Sequence, residues 1–182
     1  MKIKNFTCSA IYIILTFLIF TYTAKAQDNP PRLSSKASVS QTVGYTDVTV
    51  DYGRPGVKGR VIWGGLVPYD EVWRTGANEA TAISFSTDVK LNGNLIPAGR
   101  YSLFTIPTEG DWTVILNKVD NQWGAFKYDQ NEDLIRFKVT PVKSNFVEWM
   151  SFRFDNMKPY SADLAFEWEN LSFLLNINTK KD

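Results

Sequence analysis

Residues 47–52, Asp-Val-Thr-Val-Asp-Tyr, alternate polar and apolar side chains one by one. Because successive side chains of an extended chain point to opposite faces, this period of two predicts a β-strand with one buried face. The same alternation returns at residues 83–85, 135–140, 150–154, 164–168 and 173–177. Many short strands without a long helical period predict an all-β fold.

Other segments refine this prediction. Residues 101–106 and 112–116 are apolar on both faces, as expected of strands that are covered on both sides or lie centrally in a sandwich. Asn92-Gly93 is a strong signal for a β-hairpin, and short helical turns are compatible with residues 68–72 and 128–133. We predict a single-domain antiparallel β-sandwich, jelly-roll-like, over residues 36–180.

A long loop is predicted between the strand that contains residues 47–52 and the next one. Its glycines and prolines are Gly53, Pro55, Gly56, Gly59, Gly64, Gly65 and Pro68. In a compact sandwich we expect such a loop to lie over one end, and long ordered loops are often functional. Residues 72–81 of this region place an aromatic ring, a guanidinium, an amide and a carboxylate close together, as binding sites on loops commonly do.

The first 26 residues have the pattern of a secretory signal peptide. Lys2 and Lys4 precede an apolar run at residues 11–20, and small residues fit cleavage after Ala26. An uncleaved anchor is the alternative, but the apolar run is short for a membrane span. Residues 27–35 then read as an extended tether. We therefore predict an exported protein, periplasmic or extracellular after cleavage, with no stable membrane span.

Charge and composition exclude several functions. The formal net charge is +1, and it becomes −2 once the three lysines of residues 1–26 leave, because no acidic residue leaves with them. A mildly acidic chain without a basic block is a poor candidate for nucleic acid. The oligomeric state is not indicated by the sequence.

The chain contains no histidine, and its one cysteine, Cys8, lies in the predicted signal peptide. Ser-His-Asp and Cys-His catalysis and the usual zinc, copper and non-haem iron ligand sets are thereby excluded. Residues 129–133 begin like a calcium loop, but Leu134 replaces the required glycine and Thr140 the terminal glutamate. We expect a solvated acidic turn there, and we predict neither a metal nor a cofactor.

The candidate ligand-binding residues combine arginines, tryptophans and polar side chains of the loop region. They are Tyr52, Arg54, Arg60, Trp63, Trp73, Arg74, Asn78, Glu79 and Trp123. Arginine forks suit carboxylates and phosphates, whereas indole faces suit sugar rings or aromatic ligands. The alternative is a purely structural role, which we call the structural plug: Arg74 pairs with Glu79, and the tryptophans close the open end of the sandwich without binding a ligand. Strand tryptophans, including Trp168, are expected in the core.

Five blocks of the sequence resemble the signature of the family called domain of unknown function 2911. They span residues 52–60, 63–69, 73–81, 97–107 and 121–126, so the resemblance covers nearly the whole mature chain. The resemblance implies a secreted or envelope-associated bacterial protein with one compact β domain. It implies no established activity and no catalytic residues.

Three functions remain open from the sequence. The first is a binding module for a carbohydrate or a small anionic metabolite. The second is a carbohydrate-active enzyme whose carboxylate pair is Glu79 with Glu71 or Asp70, which would have to lie about 5 to 10 Å apart. The third is a structural or protein-interaction domain of the cell envelope.

Overall fold

The computed structural model describes residues 30–180, so the predicted signal peptide lies outside the described residues. Ten strands occur in this part of the chain: β1 (Ser35–Val43), β2 (Thr46–Arg54), β3 (Thr81–Phe85), β4 (Val89–Leu91), β5 (Asn94–Ile96), β6 (Gly99–Ile106), β7 (Trp112–Asn117), β8 (Asp133–Val139), β9 (Val142–Lys158) and β10 (Ser161–Asn178). They form a six-stranded sheet in the order β1-β2-β3-β6-β7-β8 and a four-stranded sheet in the order β5-β4-β10-β9. Every neighbouring pair is antiparallel, which confirms the predicted all-β sandwich class.

The alternation at residues 47–52 decides which face of β2 is buried. Val48 and Val50 are fully buried and Tyr52 nearly so, whereas the acidic and threonine side chains between them are more exposed. Phe166 and Leu175 on β10 belong to the same apolar cluster, which joins the two sheets. Burying a side chain of this size contributes roughly 1.5–3 kcal/mol, so this cluster is the main source of stability.

The segments that are apolar on both faces carry a second, smaller core. Phe104 on β6 and Ile115 on β7 are paired across the sheet and fully buried. They pack with Ala80, and Val72 and Tyr128 cover them. The outer face of the six-stranded sheet is therefore covered here by loops, which is the physical reason for the continuous apolar runs in β6 and β7.

Turn chemistry follows the sequence at two places. Asn92 and Gly93 have φ values of 47° and 80°, as a two-residue hairpin turn between β4 and β5 requires. A 3₁₀ turn forms at Gln130–Glu132, inside the second stretch predicted to allow one. Among residues 30–180 there is no helix with the length and apolar character needed to cross a membrane.

The chain between β2 and β3, residues 55–80, is hydrogen-bonded to both sheets. Its Val57 amide donates to the Glu148 carbonyl of β9 at 2.8 Å. Its Trp73 exchanges two backbone hydrogen bonds with Thr105 of β6, at 2.8 and 2.9 Å. Val57 and Trp73 are themselves buried in the main core. This connection is therefore a fixed part of the sandwich, and we name it the β2–β3 loop.

Candidate functional site

A cavity of about 860 Å³ lies against the β2–β3 loop. Residues 32–34, which precede β1, and residues 125–126, which follow β7, complete its wall. Trp73 and Trp168 lie at its inner side, with stacked rings whose centroids are 5.8 Å apart. Cavities of about 300–1,000 Å³ commonly hold small-molecule ligands. We call this space the main cavity.

Two glycines allow the β2–β3 loop to cross β2 closely enough to form this cavity. A Cβ on Gly53 would stand only 1.8 Å from the carbonyl oxygen of Ala77. A Cβ on Gly76 would in turn stand 3.0 Å from the carbonyl oxygen of Gly53. The Ala77 amide donates to that same Gly53 oxygen at 3.2 Å. The two backbones are thus in direct contact at a position where no larger residue fits.

The residue after Arg74 adopts a strained backbone conformation. Thr75 has a φ of 51°, a left-handed value that is uncommon for a β-branched residue. It is fully buried and is held by hydrogen bonds with the Thr105 and Thr81 hydroxyls, at 3.1 and 2.7 Å. Such strain costs roughly 1–3 kcal/mol and clusters at functional sites. The loop therefore fixes the backbone beside Arg74, whose own carbonyl accepts from the Thr81 amide at 3.1 Å.

Arg74 lines the main cavity without an acidic partner. Among residues 30–180, its side chain has neither an ion pair nor a hydrogen bond, and its Nε is buried without a partner. Burial lowers the pKa of the guanidinium from its usual value. The pair with Glu79 that the structural alternative required is not formed. Glu79 instead accepts a hydrogen bond from Nη1 of Arg32 at 2.7 Å.

Further cations surround the same space. Arg32, Lys58 and Arg60 line the main cavity beside Arg74. Arg60 is fixed by donation to the carbonyls of residues 56 and 57, at 2.5 and 3.1 Å, which leaves its positive charge unneutralised. Among the described lining residues, Glu71 is the one carboxylate. The main cavity is therefore electropositive, although the predicted mature chain is mildly acidic.

The three candidate carboxylates do not line one common cavity. Glu71 lines the main cavity, Glu79 lines a separate cavity of about 100 Å³, and Asp70 is exposed beside neither. Burial alone would raise the pKa of Glu79, but hydrogen bonds from its own backbone amide and from Arg32, with the charges of Arg32 and Lys36, lower it. A carboxyl group of this kind stays ionised and does not suit general-acid catalysis.

Several predicted binding residues have other roles. Tyr52 is buried, and its Oη accepts from the Phe152 amide at 3.2 Å. Arg54 donates from Nε to the Met150 carbonyl at 2.8 Å and does not line the main cavity. Both side chains therefore join β2 to β9 rather than face the main cavity.

Trp63 and Trp123 also lie away from the main cavity. Trp63 packs edge-on against Trp73, Trp112 and Trp168 and borders a third cavity of about 540 Å³. Trp123 is 60% exposed and forms a backbone bridge with Glu79. The predicted residues that the structure does bring together around the main cavity are Arg60, Trp73, Arg74 and Asn78.

Three of the main-cavity residues that the sequence analysis did not predict are Arg32, Trp168 and Phe126. Arg32 was placed in the predicted tether, where a lone arginine after two prolines gives no signal. Trp168 was assigned to the core; it is 1% exposed, yet it lines the cavity, and its Nε1 has no partner among the described residues. Phe126 closes the last of the five sequence blocks, and that position was the available signal.

The fold and the site together define a β-sandwich protein with a large cationic cavity formed by its β2–β3 loop. The chain belongs to the family described as "Protein of unknown function (DUF2911)", whose model matches residues 34–177. The five blocks that resemble this family all lie inside the matched range. No curated protein and no solved structure matches the chain. Its function must therefore be argued from the cavity itself.

Proposed function

We propose that this protein is a binding module for a small anionic ligand, which it holds in the main cavity. The observation that carries the proposal is the guanidinium of Arg74. It is half-buried, it lines the cavity, and it has no counter-ion among residues 30–180. A desolvated cation without a partner is unfavourable in a folded protein, and an anionic ligand would supply the missing partner.

Two further features support binding at this place. The buried, hydrogen-bonded Thr75 fixes the backbone next to Arg74 before any ligand arrives, so little of the binding free energy is lost in ordering this segment. Arg60 and Lys58 add charge of the same sign to the cavity wall. Clustered cations in a cleft raise the local concentration of anions and the rate of their association.

The binding proposal is favoured over the carbohydrate-active enzyme. An enzyme of that class needs two carboxyl groups that face one another across a cleft. Glu71 and Glu79 line different cavities, and Glu79 is held ionised by Arg32.

Export to the periplasm or the cell exterior remains part of the proposal on the sequence pattern of residues 1–26 alone. Amino-terminal sequencing of the native protein would test cleavage after Ala26.

The test measures the melting temperature and the tryptophan fluorescence of the purified protein in phosphate, in citrate, and in sodium chloride of equal ionic strength. We expect phosphate or citrate to raise the melting temperature above its value in chloride, because a ligand that binds the folded state stabilises it. Glucose serves as the neutral comparison. Trp73 and Trp168 line the cavity, so binding should also change the fluorescence.

Variants separate specific binding from the general stabilising effect of these salts. Arg74→Met should remove the extra stabilisation by the anion. Arg153→Met is the matched control, because Arg153 is exposed on β9 and pairs with Glu167 away from the cavity. The proposal is overturned if wild type responds equally to all three salts, or if Arg74→Met responds as wild type does.

A further inference from the structure

We infer that the ligand is amphipathic, with one anionic head bound at Arg74 and an apolar body bound at the mouth of the main cavity. The inference rests on the proposed function and adds the class of ligand to it. The occupant is a free small molecule such as a medium-chain carboxylate or an aryl or alkyl phosphate, which present the same head and the same kind of body.

Three exposed apolar side chains lie together at the mouth of the cavity. Leu33, Leu66 and Phe126 are 84%, 46% and 83% exposed, and all three line the same cavity. They come from three separate parts of the chain: the segment before β1, the β2–β3 loop and the segment after β7. Convergence of exposed apolar side chains on a cavity marks a place where apolar surface is to be covered.

The apolar mouth is adjacent to the unpaired cation. The position that a Cβ on Gly124 would occupy lies 2.8 Å from the ring of Phe126 and 3.7 Å from Nη1 of Arg74. The ring and the guanidinium therefore flank the same glycine. A molecule whose head reaches Arg74 would place the next part of its body against Phe126.

The lining offers few groups for a polyhydroxylated ligand. Besides its cations and the indole N–H groups of Trp73 and Trp168, the described wall contains the polar side chains Ser34, Glu71 and Asn78. Asn78 already donates from Nδ2 to the Ser34 carbonyl at 3.3 Å. Pro55, Pro68 and further apolar residues fill the remainder. Few acceptors are present for the hydroxyl protons of a sugar, whereas an alkyl or aryl body needs none.

The test compares acetate, butyrate, hexanoate and octanoate, all as monomers, by isothermal titration calorimetry at constant ionic strength. We expect the affinity to rise about two- to fourfold with each methylene group. The upper figure, about fourfold, corresponds to full burial of a CH₂ group. 1-Octanol, which has the body without the charge, should bind at least tenfold more weakly than octanoate. Arg74→Met should remove that difference between octanoate and 1-octanol.

Phe126→Ser should flatten the dependence of affinity on chain length, so that octanoate binds little more tightly than acetate. Phe146→Ser is its matched control, because Phe146 is 57% exposed on β9 and does not line the cavity. Both phenylalanines are exposed, so both variants should fold as wild type does, which circular dichroism would check.

The possible results separate this inference from the proposed function. If phosphate and acetate bind through Arg74 but affinity stays flat up to octanoate, the amphipathic ligand is wrong and anion binding stands. If no anion of any length binds, both fail. If the protein sediments with phosphatidylglycerol vesicles but does not bind octanoate, a membrane surface replaces the free ligand and the inference is overturned.

Discussion

Two arginines of this protein show how the same side chain serves opposite purposes. Arg136 on β8 donates to Asp133 at 2.6 Å and to the Tyr128 hydroxyl, and the hydrogen bond with Asp133 is the main reason why its pKa is raised. Arg74 has no such partner, and burial lowers its pKa. The first guanidinium is satisfied within the fold. The second has no partner among residues 30–180, and under the proposed function an anionic ligand supplies it.

The largest expected effect on stability comes from disrupting the close contact between the β2–β3 loop and β2, next to Arg74. Gly53→Ala would place a methyl group 1.8 Å from the Ala77 oxygen, so the β2–β3 loop must move away from β2. We expect a loss of about 3 kcal/mol of unfolding free energy, at the upper end of overpacking costs. Urea unfolding would measure it. Gly110→Ala is the control with space available, since its nearest neighbour would be 3.9 Å away.

The next largest effect concerns Arg136, the arginine whose hydrogen bonds are made within the fold. Asp133 accepts hydrogen bonds from Asn117, Tyr128 and Arg136, at 2.9, 2.6 and 2.6 Å. Asp133→Asn removes the charge and exchanges one acceptor oxygen for a donor. We expect a loss of about 2 kcal/mol, because hydrogen bonds to charged groups contribute roughly 1.5–3 kcal/mol and Arg136 is partly exposed. Binding of ligand in the main cavity should stay unchanged, which titration calorimetry would show.

The sharpest form of the comparison replaces each arginine by methionine. Arg136→Met should destabilise the protein. Arg74→Met should leave it unchanged or stabilise it by about 0.5–2 kcal/mol, because it removes a partly buried cation that has no partner. Chemical denaturation of both variants measures whether the free energy of unfolding rises or falls in each. A large loss of stability in Arg74→Met would instead support the structural plug and contradict the binding site.

The smallest effect is on alkaline stability. Burial, together with the hydrogen bond to Asp133, raises the pKa of Tyr128 to about 12. Its unfolded value is about 10. The folded state thus holds the proton more tightly, so this stability is complete below pH 10 and is lost as pH rises through 12. Tyr128→Phe should weaken the fall in stability over this range in urea melts; an unchanged profile would contradict the assignment.

Local pattern was sufficient for the fold class. The alternation in β2 and the turn at Asn92-Gly93 are set by neighbouring residues, since strand faces and hairpin turns depend on side chains within a few positions. The runs in β6 and β7 were also recognisable, although the chain that covers them was not. Which segment covers an apolar face depends on the tertiary path of the loops.

The site was predictable in part, for the same reason. Arg60, Trp73, Arg74 and Asn78 lie in one loop, so their proximity was visible in the sequence. Arg32 reaches Glu79 across 47 positions, and no local pattern indicates a contact of that range. The predicted role of Glu79 in ligand binding or catalysis consequently remains a prediction, and its salt bridge with Arg32 was not predicted.

The salt bridge between Arg32 and Glu79 has a practical consequence for anyone who prepares this protein. Leu33 and Ser34 form part of the cavity wall, and the Asn78 amide holds the Ser34 carbonyl. A recombinant version that starts at Ser35, the first residue of β1, would retain the residues of both sheets, yet its main cavity would lack the wall formed by residues 32–34. The choice of starting residue would then decide whether a ligand screen has a complete target.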